Sequence, residues 1–143
     1  IVAETNDENA NLIYDFGLNL GLAFQLQDDY LDTFGDPETF GKQVGGDIIE
    51  NKKTFLYLKA LEVSSAADTQ KLESFFNEKL ADNTIKINEV KRIFELNDIP
   101  VLIKEQIQVY TEKAFDTLSK MDISKTNKDN LKAFGLWLMN RTV

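Results

Sequence analysis

No cysteine and no histidine occur among the 143 residues. The first absence rules out a disulfide framework, a zinc-thiolate centre and a thiol nucleophile, and it favours a reducing compartment. The second removes the commonest general base, the Ser/His triads and the usual zinc sites. Chemistry in this chain therefore falls to carboxylates, lysines, hydroxyls or a hard metal ion. Prolines number 2 and glycines 7, and β-branched runs with period two are scarce. No run approaches the roughly 18 apolar residues of a membrane span, and no signal-peptide pattern opens the chain, so a soluble, cytoplasmic, non-transmembrane protein is expected. Basic stripes are missing as well. The 16 Lys and Arg are outnumbered by 24 Asp and Glu, and the net charge of −8 argues against nucleic acid as a partner.

What is present reads as one domain's worth of helices, long enough to bury roughly 68–70% of the unfolded chain's surface. The periodicity predicts an all-α fold. From about Asn9 to Thr33, Leu12, Ile13, Phe16, Leu20, Ala23, Phe24, Gln27 and Leu31 follow steps of three and four, with Gln27 the polar exception, as one long helix requires. Gly17 and Gly21 lie four apart on it, where a neighbouring helix is expected to approach closely. Gly35, Pro37, Gly41, Gly45 and Gly46 then break the pattern into a loop, and helix resumes near Lys52 through Phe55, Leu58 and Leu61. Ser65 with Asp68 three residues on reads as a helix start. Leu72, Phe75, Phe76 and Leu80 form the next stripe, and Ile87, Val90, Ile93 and Phe94 another, ended by a turn over Asn97 to Pro100. A helix of about six turns follows along Ile103, Ile107, Tyr110, Ala114, Leu118 and Met121. After a polar interval from Ser124 to Asn130, Leu131, Phe134, Gly135 and Leu138 close the chain, with Trp137 expected in the core or at its rim.

The chemistry concentrates between Phe24 and Thr54. Asp28 and Asp32 are i and i+4, so on a helix they share a face about 6 Å apart along the axis, and Asp29 lies about 100° further round. Like charges so placed repel, and a divalent cation removes the repulsion. Mg²⁺ suits one or two carboxylates together with waters and substrate phosphate oxygens. Lys42 sits between Gly41 and the Gly45-Gly46 pair, where backbone can approach an anion, and Lys52 and Lys53 fall at the next expected helix start, which also favours phosphate. Asp47 is placed to hold a lysine or a metal-bound water. Carboxylates for metal and lysines for phosphate within 25 residues describe a metal-diphosphate site. A solvated acidic helix end and a surface lysine pair stay open as the plainer alternatives.

Other phosphate and metal motifs fail on spacing. GDPETFGK places five residues between its glycines where a P-loop needs four, and Gln43 stands where Ser or Thr would bind Mg²⁺. An EF-hand begun at Asp28 would put Tyr30 and Thr39 at ligand positions. A glycosidase needs its carboxylates on opposite sides of a sugar, which one helix face does not provide.

FQLQDDYLD, followed by GDPETFGK, GGDI and NKKT, resembles the second aspartate-rich region of the trans-isoprenyl diphosphate synthases, the group of farnesyl and geranylgeranyl diphosphate synthases. The resemblance runs on more weakly through YTEKAFDTLSKM to Arg141. It implies about six to seven C-terminal helices of an isoprenoid-synthase-type bundle, and condensation of isopentenyl diphosphate with an allylic diphosphate in the presence of Mg²⁺. Carried over by position, Asp28 is the direct Mg²⁺ ligand, and Asp29 and Asp32 bind through waters or support it. Lys42 and Lys52 contact the allylic diphosphate, Asp47 stands behind them, and Phe24 and Gln25 line the substrate cavity.

Synthases of this family use two aspartate-rich motifs, and this chain has one. Residues 1–143 therefore read as the C-terminal portion of a polyprenyl synthetase domain whose N-terminal half is absent, and the opening Ile1 fits such a piece. The resemblance implies a homodimeric parent. The piece alone is expected to be inactive and to self-associate through apolar faces left open around Phe16, Phe24 and Phe55. A non-catalytic synthase-like regulatory subunit and a helical scaffold with an incidental acidic turn are the rival readings.

Overall fold

A computed structural model describes residues 7–36, 38, 44–78 and 82–140. Among them are seven helices and no strand: α1 Asp7–Phe34, α2 Gly46–Ile49, α3 Phe55–Val63, α4 Ala66–Asn77, α5 Asn83–Leu96, α6 Ile99–Ser119 and α7 Lys125–Met139. The all-α architecture is as expected. None of the described helices is long and apolar enough to cross a membrane.

The helix starts follow from side-chain chemistry. Ser65 Oγ accepts from the Asp68 amide at 3.2 Å, Asp82 Oδ1 accepts from the Thr84 and Ile85 amides, and Ser124 Oγ accepts from the Asn127 amide. Each such cap contributes about 1 kcal/mol. The Ser124 cap explains why the polar stretch after it is helical from Lys125 onward rather than a loop. Between α5 and α6 the turn shrinks to Asn97 and Asp98. Asp98 has a φ of 57°, and Pro100 falls in the first turn of α6, where its missing N–H is no loss. α2 was not expected, and α3 begins at Phe55, so Lys52 and Lys53 precede its N-cap Thr54 instead of opening the helix.

The chain divides into two compact units. One contains the described residues up to Gln27 and those from Glu105 onward, and the other is built from Asp28–Lys104. In the first, Phe16, Leu20, Ala114, Leu118 and Met121 form a buried core, with Leu12, Ile13, Phe115, Leu131 and Leu138 packed on it. The buried Asn9 clasps Asp122 twice: its Nδ2 donates to the Asp122 carbonyl, and its Oδ1 accepts from the Asp122 amide, each at 2.9 Å. Gln27 Nε2 donates to the Met139 carbonyl at 2.9 Å. Close approach at a glycine occurs here at Gly135, where an added Cβ would lie 2.8 Å from the Phe115 ring.

Two expectations are corrected in this unit, and at Gly17 and Gly21 the expected close approach is not made among the described residues, where an added methyl would meet no atom within 4 Å. Phe16 is only 5% exposed and fills the core. Trp137 is 68% exposed, with its ring 6.3 Å from that of the exposed Phe134, so it is not a core residue. The open apolar surface of this unit instead includes Tyr14, Leu18, Phe134 and Trp137.

In the second unit, α2, α3 and α4 pack against α5. Leu56, Leu72, Val90, Ile93 and Phe94 are buried, and Tyr57 stacks on Phe76 with ring centroids 4.2 Å apart. Truncating one of the large side chains to alanine costs about 2–5 kcal/mol. Phe55 is half-buried. Phe34, at the end of α1, reaches Phe94 with a centroid distance of 6.4 Å, which ties the carboxylate-bearing end of that helix to α5.

Candidate functional site

The last two turns of α1 carry Asp28, Asp29 and Asp32, and helical register separates their environments. Asp28 is exposed, Asp29 is 8% exposed, and Asp32 is half-buried. No basic residue stands in the last turn to offset them, and the negative end of the helix dipole adds to their repulsion.

The turn after the glycines is fastened to this helix end at two points. Gly45 has a φ of 92°, a left-handed conformation that favours glycine, and its N–H donates to the Asp32 carbonyl at 2.6 Å. The next contact comes from a side chain, with Asp32 Oδ2 accepting from the Asp47 amide at 2.8 Å. The short α2 then leads to Asn51, whose φ of 58° turns the chain back. Lys52 donates its amide to the Asp47 carbonyl at 2.8 Å and brings its exposed ammonium to 3.7 Å from Asp47 Oδ1. Asp28, Asp29, Asp32, Asp47 and Lys52 are thereby gathered into one neighbourhood in the second unit.

Burial pushes the Asp29 carboxyl up from 3.8 to about 6, with Asp47, Asp28 and Asp32 adding to the rise and Lys52 opposing it. Asp32 is raised chiefly by burial, against the pull of the Asp47 amide. Burial also raises Asp47, against the attraction of Lys52. Negative charge thus exceeds its compensation. Among the described residues, no three acidic side chains are already drawn together as a finished cation cage.

Phe24, half-buried, and Gln25, exposed, lie on α1 one turn before Asp28. Lys42 lies outside the described residues. The sequence reading missed Lys86, which is buried on α5 with its Nζ donating to Asn51 Oδ1. Its signal was the period: 86, 90, 93 and 94 form one stripe, and a lysine opens it.

The polyprenyl synthetase model matches residues 1–96, the segment that contains this whole arrangement. The chain belongs to the polyprenyl synthetase family. Its resemblance to a geranylgeranyl diphosphate synthase of Saccharolobus solfataricus extends over 144 aligned residues at 31% identity, covering 99% of this chain and 42% of that protein. A crystal structure of a geranylgeranyl pyrophosphate synthase superposes with a TM-score of 0.85 at 43% identity, over 97% of this chain and 43% of the other. Another, from Corynebacterium glutamicum and complexed with isoprenyl diphosphate and magnesium, gives 0.83 at 25% identity, over 95% of this chain and 38% of that one. The chain spans less than half the length of the curated polyprenyl synthetases it matches.

Proposed function

We propose that this chain supplies the half-site for diphosphate departure in a Mg²⁺-dependent prenyltransferase that condenses isopentenyl diphosphate with an allylic diphosphate. The observation that carries the reading is the bond from the Asp47 amide to the Asp32 carboxylate. Two motif segments 15 residues apart are held together by it, with the Lys52 ammonium beside Asp47.

The donor set fits Mg²⁺. It consists of hard carboxylate oxygens, and the buried Asp29, its carboxyl raised to about 6 by burial and by the neighbouring carboxylates, marks a charge excess that a divalent cation relieves. Asp28, Asp29 and Asp32 would hold the ion, with Asp28 as direct ligand. Held there, such an ion would supply neutralisation of negative charge on a departing diphosphate, the preorganised electrostatic effect that often supplies the largest catalytic term. Lys52 and Lys42 bind the diphosphate oxygens of the allylic substrate. Asp47 tethers Lys52 between turnovers, and Phe24 and Gln25 border the space for the prenyl chain.

A complete site also needs a second acidic motif and the residues that bind isopentenyl diphosphate, which the remainder of a full-length homodimeric synthase would provide. The 143 residues alone are expected to show no prenyl-chain elongation with Mg²⁺ and both substrates; any radiolabelled product above background refutes the half-site reading. The exposed Tyr14, Leu18, Phe134 and Trp137 make self-association the expected state of the isolated piece, and a monomer in light scattering refutes that. Calorimetric titration with inorganic pyrophosphate tests the site directly. Binding should require Mg²⁺ and vanish in Asp28→Ala, whereas Mg²⁺-independent or absent binding favours a scaffold without a site.

A further inference from the structure

The geometry points to Lys86 as a positioning residue for the diphosphate site, acting through Asn51 to fix the turn that carries Asp47 and Lys52. The inference rests on the diphosphate reading for the site's purpose, but its structural content stands apart from that reading.

Lys86 occupies the first position of the α5 stripe that continues with Val90, Ile93 and Phe94, all of them buried. It is only 2% exposed. Among the described residues its ammonium donates to Asn51 Oδ1 and lies 5.8 Å from the centroid of the Phe76 ring, and it forms no ion pair with a carboxylate. A buried ammonium held by one neutral amide and a ring is costly to maintain. A methionine of similar length would fill the stripe at less cost. Burial holds the Lys86 ammonium below its ordinary pKa, in keeping with that cost.

What the lysine achieves is visible one residue along. Asn51 adopts the left-handed backbone that lets Lys52 return to the Asp47 carbonyl, and the Lys86 ammonium grips the Asn51 side chain. The neighbouring Ile87 closes on Gly45 at the other end of the turn, where an added Cβ would lie 2.9 Å from its Cδ1. Consecutive residues of α5 thus hold the turn just before and just after α2. Gly45 is bonded to the Asp32 carbonyl, so the grip also sets where Lys52 stands relative to the α1 carboxylates.

The test uses Lys86→Met, which keeps length and removes the donor, and Asn51→Gly, which removes the acceptor while tolerating the left-handed backbone. Amide hydrogen exchange and calorimetric binding of inorganic pyrophosphate with Mg²⁺ are measured on the whole chain. Each variant is expected to speed exchange of the Lys52 amide at least tenfold while leaving the α4 amides unchanged. Each should also weaken pyrophosphate binding about tenfold, and the double variant should be no weaker than either single one. In a Lys52→Ala background, Lys86→Met should cause no further loss.

Unchanged Lys52 exchange overturns the inference. So does a uniform rise over all helices with affinity of the folded protein intact, since that describes a merely structural lysine. If the unaltered chain binds no pyrophosphate, the diphosphate reading falls, and the exchange result still decides whether Lys86 orders the turn.

Discussion

Replacing Asp29 by asparagine keeps the shape of the side chain and removes its ability to ionise. Asp29 is 8% exposed, and its carboxyl is raised from 3.8 to about 6. Below about pH 3.8 the group is protonated in folded and unfolded chains alike, and it costs nothing. As pH rises from there to about 6, the unfolded chain releases the proton first, so stability falls, and above 6 the whole cost is present. The gap between 3.8 and about 6, at about 1.4 kcal/mol per pH unit, sets a ceiling of about 3 kcal/mol. Solvent near the exposed Asp28 and Lys52 screens part of it, and the expected difference is about 1–2 kcal/mol. Urea denaturation of both proteins in a chelator, at pH 4 and pH 7.5, measures the change. Asp29→Asn should equal the parent at pH 4 and exceed it at pH 7.5. If both proteins lose the same stability between those values, Asp29 is not the buried, charge-crowded group described here.

Two further substitutions probe the packing around the site and the first core. Gly45→Ala forces a residue with a Cβ into a left-handed conformation and against Ile87, a loss of about 2–3 kcal/mol in urea denaturation; Ile87→Val, which removes the nearest atom, should make the pair less harmful than the sum, and strict additivity would count against the contact. Gly135→Ala pushes a methyl to 2.8 Å from the Phe115 ring and should cost about 1–3 kcal/mol, with partial recovery by Phe115→Leu in thermal denaturation.

Most helices were legible in the sequence because their apolar residues recur at three and four, a pattern that burial of one face imposes. Ser65 was legible as a cap for a local reason, the reach of its hydroxyl to the Asp68 amide. What was not legible depends on partners far along the chain. The four residues of α2 are too few to show a period, and they hold because Asp32 and α5 flank them. A glycine pair on a helix looks the same whether a neighbour presses on it or space lies open; among the described residues Gly135 makes a close contact, and Gly17 and Gly21 make none. The aspartates were visible as a set, but their unequal burial arises from packing around the end of α1.

The Asn9 clasp on Asp122 has a consequence for the order of events during synthesis. Its two partners are 113 residues apart, so the first unit cannot close until the ribosome has delivered α6 and the residues after it. Asp28–Lys104, by contrast, is continuous, and its contacts are complete once α5 and the start of α6 have emerged. Domains tend to fold as units in the order in which they appear. The carboxylate turn would therefore take shape on the nascent chain while Phe16 and Leu20 still await Ala114, Leu118 and Met121.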